Sequence, residues 1–149
     1  MTVGLRKCKE YDRMNLQEKA LENFNEKKYN CCQAVVCAYC EACGVDDGEI
    51  FKLAEGFGGG MGGLQDVCGA VSGAFMAISI AGSAGDKNQP TLTKAGTYEK
   101  VRDLAKEFEE LHGSIYCRDL KTDRVSCQKC VATGAQLVEK CVCKTNLDE

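Results

Sequence analysis

The sequence predicts an all-α fold: a single-domain helical bundle of five to seven helices around a small-residue central helix. Three observations carry this. Helix-capping signals punctuate the chain, with one Pro in 149 residues. No run of alternating β-branched residues calls for a sheet. The stretch "VCGAVSGAFMAISIAGSAG", residues 67–85, carries no charge and is rich in Gly, Ala and Ser, as suits a helix packed closely against neighbours.

The elements follow in order. "NLQE", Asn15 to Glu18, reads as a capping box that starts a helix to about Lys28, after a loosely ordered arm over residues 1–14. "NCCQ", Asn30 to Gln33, is a second box, opening a helix that Gly44 ends. "DDGE", Asp46 to Glu49, opens a short helix stopped by Gly56. The loop "GFGGGMGG" follows, and Asp66 is placed to cap the chargeless helix, in which Gly69 and Gly73 stand four apart and admit a second backbone. A polar loop containing Pro90 leads to an amphipathic helix, Thr97 to His112, closed by Gly113. Ser114 caps a short turn carrying "IYCRDL", and Ser126 caps the final helix, "CQKCVATGAQLVEKC".

Composition narrows the function. The chain fits one domain, 1–149, and 44% hydrophobic residues suffice for a core without crosslinks. Twelve cysteines would otherwise suggest a disulfide scaffold. The charged N-terminus has neither the apolar core nor the cleavage signature of a secretory signal, so the expected compartment is the cytoplasm. There thiols stay reduced, and clustered cysteines more often serve metal or redox chemistry. The net charge is −3, with no basic stripe or aromatic platform, so nucleic acid is not an expected partner. The chargeless stretch approaches the ~20 residues of a membrane span. Its small residues would give only weak transfer into lipid, so it reads as a buried helix and no membrane partner is expected.

Four cysteines fall at predicted helix starts. Cys31 follows Asn30, Cys68 follows Asp66, Cys117 lies three residues after Ser114, and Cys127 follows Ser126. Unpaired N–H groups and the macrodipole favour negative charge there, which lowers a thiol's pKa and favours the thiolate. An anionic thiolate-bound cluster would gain from the same field. One such cysteine more often simply packs beneath a cap; four together point to a site.

The motifs "YNCCQAV", "GFGGGMGG", "CGAVSGAFMA" and "FEELHGSIYCRDL", with a late Cys four residues before a Val, resemble the C_GCAxxG_C_C family of redox-active proteins. The resemblance runs from about Phe24 to Val138. It implies that the four family cysteines are Cys31, Cys68, Cys117 and Cys127, and that they do redox work or hold a metal–sulfur centre. Related sequence attached to haem-binding modules in the electron-transfer proteins of anaerobes implies the same. Eight further cysteines depart from the pattern. Cys32 stands where the family has a small residue, and Cys130 forms Cys-x-x-Cys with Cys127. Both are second-tier metal ligands, and either Cys127 or Cys130 serves as the fourth ligand. Cys141 and Cys143 leave a second site open.

Other chemistries find little support. The one His, His112, sits at a helix end where a cation suits the dipole, which leaves no Cys/His pair and no His-built zinc enzyme. "EFEE" reads as a solvated helix face. "GFGGGMGG" lacks the Lys-Ser/Thr of a phosphate loop, and its glycines let the chain bend around whatever Cys68 faces.

The reading is a redox-active protein with a cysteine-ligated metal centre, an iron–sulfur cluster used in electron transfer. Alternatives are a zinc or Cu(I) thiolate protein and a metal-free thiol–disulfide oxidoreductase. An electron carrier or redox accessory protein fits better than an enzyme with its own substrate. The expected partner is a redox protein, and a surplus of apolar helix face suggests a homodimer. Within "YNCCQAVVCAYCEACG", residues 29–44, helix geometry turns Val35, Ala38, Tyr39 and Ala42 to the core on the Cys31 side. Cys37 and Cys40 point largely away, with Cys32 and Cys43 between, so the five sulfurs do not form one site.

Overall fold

Side-chain caps open two helices, at Asn30 and Ser126, and left-handed glycines close two, at Gly44 and Gly113. The computed structural model describes residues 16–148, with side chains to residue 142. The predicted arm over 1–14, the Asn15 cap and the Cys143 side chain lie outside the described residues. Among the described residues the architecture is all-α, with a single isolated bridge between Val67 and Tyr116 as extended pairing. The helices are α1 (Leu16–Asn25), α2 (Cys31–Cys43), α3 (Gly48–Glu55), α4 (Gly69–Gly82), α5 (Lys94–His112), α6 (Cys117–Thr122) and α7 (Cys127–Asp148).

The second capping box forms in full. Asn30 Oδ1 accepts from the Gln33 N–H at 2.9 Å, and the Asn30 N–H donates to Gln33 Oε1 at 3.0 Å. Asn30 Nδ2 also donates to the Glu55 carbonyl at 3.0 Å, so the residue that starts α2 holds the end of α3 beside it. Gly44, at φ 68°, closes α2 in the left-handed conformation, as Gly113 closes α5 at φ 89°. Ser126 Oγ accepts from the Lys129 N–H at 3.1 Å at the start of α7.

Three helix starts differ from the sequence expectation, and α1 ends at Asn25 rather than near Lys28. α5 starts at Lys94, three residues before Thr97. The N-cap of α4 is Cys68 itself rather than Asp66, whose carboxylate is taken up by its neighbour, the Val67 N–H, at 2.9 Å. α6 starts at Cys117 with Tyr116 as its N-cap. Ser114 secures the preceding turn instead: its Oγ accepts from the Tyr116 N–H at 3.0 Å and donates to Asp119 Oδ2 at 2.7 Å.

The core lies where α2 and α4 cross, with α1 and α7 closing around them. α2 is buried continuously from Cys32 to Cys40, and Tyr39 is its largest fully buried side chain. α4 comes so near that a Cβ on Gly73 would stand 2.6 Å from the Cys32 carbonyl oxygen. On its other side a Cβ on Gly134 of α7 would stand 2.9 Å from the Ala70 carbonyl oxygen. Small residues thus let three helix backbones meet around α4, the arrangement that the chargeless stretch predicts. No helix among the described residues is long and apolar enough to cross a membrane.

Candidate functional site

The segments that carry Cys68 and Cys117 are locked together through their backbones. The Cys68 N–H donates to the Ile115 carbonyl at 2.8 Å, and the Cys117 N–H donates to the Asp66 carbonyl at 2.7 Å. Arg118 continues the pairing by donating to the Gln65 carbonyl at 3.1 Å. Two cysteines 49 positions apart in sequence thereby start two helices side by side. The glycine loop folds over them: Gly59, Gly60, Met61, Gly62 and Gly63 all have positive φ. A Cβ on Gly60 would stand 2.6 Å from the Cys117 Cβ, and one on Gly69 would stand 3.0 Å from the Cys31 Cβ. These glycines are bare because thiol-bearing segments occupy the space a side chain would need.

Cys31, Cys68, Cys117, Cys127 and Cys130 all line one cavity of about 210 Å³. Phe24, Leu120 and Val125 supply apolar wall, and Lys121 supplies a cation. The four cysteines singled out from the sequence are therefore brought together, and Cys130 joins them. Cys127 and Cys130 are three apart on α7, so one helix face presents both. Cys32 is placed otherwise. It is fully buried between α2 and α4, its thiol donating to Met76 Sδ at 3.7 Å, and it does not line the cavity. Among the described residues no three Cys, His, Asp or Glu side chains are grouped closely enough to hold a single ion.

The sulfurs are not electrostatically alike. Cys130 is the hydrogen-bond partner of Cys68; that contact, together with the N–H groups of Val71 and Ala70, lowers Cys68 to about 7 against the cost of its burial. Cys130 is raised for the reciprocal reason, with burial adding to it. Cys31 pairs with Cys127 and is pushed up to about 12, first by burial and then by the charges of Cys127 and Cys68. Burial also raises Cys117, against the pull of Lys121. The expectation that a helix-start cysteine favours the thiolate is thus corrected for Cys31 and Cys117, where loss of solvent outweighs the helix field, while at Cys68 the Cys130 contact and the Val71 and Ala70 N–H groups outweigh burial.

The remaining cysteines lie elsewhere. Cys37 and Cys40 are buried, and each is pushed up to about 12 by burial and then by the charge of Asp47. Cys141 packs half-buried against the core, and Cys43 is disulfide-bonded. Nine of the described cysteines are outside any disulfide. His112 does not behave as the dipole argument expects. Burial and then the Lys129 charge lower its pKa, and its Nε2 pairs with Thr133 Oγ1 at 2.8 Å, so it packs as a neutral ring edge-to-face on Phe108.

A helical bundle that gathers five thiols at one partly apolar cavity is of the thiol-based redox class. Within that class, residues 29–141 match the family described as "Putative redox-active protein (C_GCAxxG_C_C)", and the chain belongs to that family. A relative from Archaeoglobus fulgidus, described as an uncharacterized protein, is 31% identical over 134 residues, covering 83% of this chain and 88% of its own length. No solved structure matches the chain.

Proposed function

We propose that the chain is an electron carrier or redox accessory protein in which Cys31, Cys68, Cys117 and Cys127 hold an iron–sulfur cluster. The observation that supports this reading is that four thiols from the starts of four separate helices line one cavity. The donor set fits: thiolates are the ligands such clusters take, and among the described residues no three such side chains are grouped closely enough for a single ion. That spacing suits a centre of several metal atoms better than one zinc or Cu(I) ion, whose thiolates would stand about 3.8 Å apart given a metal–sulfur distance of ~2.3 Å.

When bound, the cluster supplies a one-electron couple. The chain's own residues would hold and tune it. The Lys121 cation and the Val71 and Ala70 N–H groups beside Cys68 would stabilise its negative charge. Phe24, Leu120 and Val125 keep water from the sulfurs. Cys127 is the exposed thiol of the set, so it marks the edge nearest a redox partner protein.

The test is purification without oxygen, followed by a visible spectrum and assays of iron, acid-labile sulfide, zinc and copper. Brown protein with iron and sulfide in fixed proportion to chain is the expected result. Colourless protein holding zinc or copper would replace the cluster with a single-ion thiolate site. Protein with no metal and reversible disulfides would favour thiol–disulfide exchange, for which the low pKa of Cys68 supplies a nucleophile.

A further inference from the structure

The mouth of the cysteine cavity is charged unlike the rest of the chain. Residues 116–130 carry three of its five cysteines, together with four basic and two acidic residues. That stretch is +2 in a chain of net charge −3, so the remainder is −5. One of the two carboxylates, Asp119, is turned to the Ser114 hydroxyl at 2.7 Å. Lys121 lines the cavity, and Arg118 stands exposed one turn before it on α6. Arg124 is exposed in the turn that leads to Cys127, the exposed cysteine of the cavity. A further cation comes from the α1 side. Lys28 Nζ donates to the Asn25 carbonyl at 2.9 Å, and Asn25 Oδ1 accepts from Gln128 Nε2 at 2.7 Å, next to Cys127. The ion pairs among the described residues, Lys19–Glu41, Lys52–Glu49 and Lys140–Glu107, leave these four cations out.

Two apolar side chains stand beside them. Leu64 is 76% exposed and Tyr116 is 37% exposed, and the Arg118 guanidinium lies 5.1 Å from the centre of the Tyr116 ring. The Arg118 N–H donates to the Gln65 carbonyl, which brings Leu64 next to the same face. An aromatic ring, an arginine and an aliphatic side chain with charges around them have the make-up of a protein interface.

We infer that this face docks an acidic electron-transfer protein through Lys28, Arg118, Lys121 and Arg124, with Cys127 at the point of approach. The inference rests on the proposed function for the electron that crosses, and not for the charge of the surface. The cations come from two parts of the chain and do not converge on one point, so they suit a carboxylate-rich protein patch better than a single small anion. Leu64 and Tyr116 give that partner apolar area to bury. The negative remainder of the chain repels the partner elsewhere and turns the cavity mouth towards it. The same remainder, with Asp123 inside the patch, disfavours a phosphate backbone. The electron that one protein loses is the electron that the other gains.

The experiment takes the full chain, reduced, before and after anaerobic loading with iron and sulfide, and uses a ferredoxin of strongly negative net charge as the probe. The ferredoxin should bind at low ionic strength and release as salt rises past ~0.1 M, where the Debye length is about 10 Å. Carbodiimide coupling, mapped by mass spectrometry, should join its carboxylates to Lys28 and Lys121 rather than to Lys52 or Lys140. Arg118→Glu combined with Arg124→Glu should weaken binding about tenfold with the melting temperature unchanged, while Lys52→Glu should leave binding as it was. A ferredoxin that does not bind, couples mainly at Lys52 or Lys140, or binds the charge-reversed variant equally well would overturn the inference. Duplex DNA held more tightly than the ferredoxin, and lost in the same variant, would assign the face to nucleic acid instead. The two readings fail separately. A chain that docks the ferredoxin here yet never takes up iron and sulfide loses the cluster and keeps the face. A chain that loads a cluster but docks the ferredoxin elsewhere does the reverse.

Discussion

Gly60 and Cys117 are in backbone-to-thiol register: a Cβ on the glycine would stand 2.6 Å from the Cβ of the cysteine, at a φ of +69°. Gly60→Ala therefore meets two obstacles. The left-handed conformation costs a non-glycine residue about 1–2 kcal/mol, and the methyl cannot fit unless Cys117 moves. The variant is expected to melt at a lower temperature than the parent and to hold less iron after anaerobic loading. Equal iron content in the folded variant would show that Cys117 need not keep its place.

Gly73 and Gly96 make a contrasting pair. Gly73→Ala sets a methyl 2.6 Å from the Cys32 carbonyl oxygen, where both helices are backbone-rigid, and overpacking of this kind costs roughly 1–3 kcal/mol. Gly96 lies in α5 with nothing within 4 Å of the added Cβ. Gly96→Ala should stabilise the chain by about 0.5–1 kcal/mol through helix propensity. Urea unfolding of both variants checks the opposite signs.

Asn30→Ala removes one side chain that serves two helices. The capping box at the start of α2 is lost, and so is the bond to the Glu55 carbonyl at 3.0 Å. Loss of an N-cap costs about 0.5–2 kcal/mol. Because Cys31 is the first residue of α2, fraying there should also raise its alkylation rate by more than that of the fully buried Cys32, whereas global unfolding exposes both alike.

The thiols give the metal-free, reduced protein a two-signed pH dependence. Cys68 is lowered to about 7 in the fold from 9.0, so between these values the unfolded chain holds the extra proton and stability rises with pH. Cys37 and Cys40 are each raised from 9.0 to about 12, so above pH 9 the folded chain holds the extra protons and stability falls. Thermal melts from pH 6 to 11 should therefore show the thiol contribution rising from 7 to 9 and declining beyond. In Cys68→Ser the rising limb should flatten while the alkaline decline remains.

Much of the fold was legible because its signals are local. The Asn30–Gln33 box, Gly44, Gly113 and Ser126 each act within a few residues of their own position, and the structure places them as caps and closures. Asp66 was misread because the start of α4 is set by a partner far away: the bridge to Tyr116 commits the backbone of residues 65–68 and leaves Cys68 as the cap. The convergence of cysteines was partly legible. Helix starts marked four of them, and the Cys-x-x-Cys spacing marked Cys130 beside Cys127 as a second-tier ligand. Their separate pKa values were not legible, since burial and sulfur–sulfur contact are tertiary facts that outweigh the helix field at Cys31 and Cys117.

The central claim is that Cys31, Cys68, Cys117 and Cys127 serve one centre. It is tested most directly by alkylation mapping of the full chain before and after anaerobic loading with iron and sulfide. All four thiols should become protected together on loading and be released together by an iron chelator. Any one of the four alkylating at its cluster-free rate while the other three are protected would contradict it.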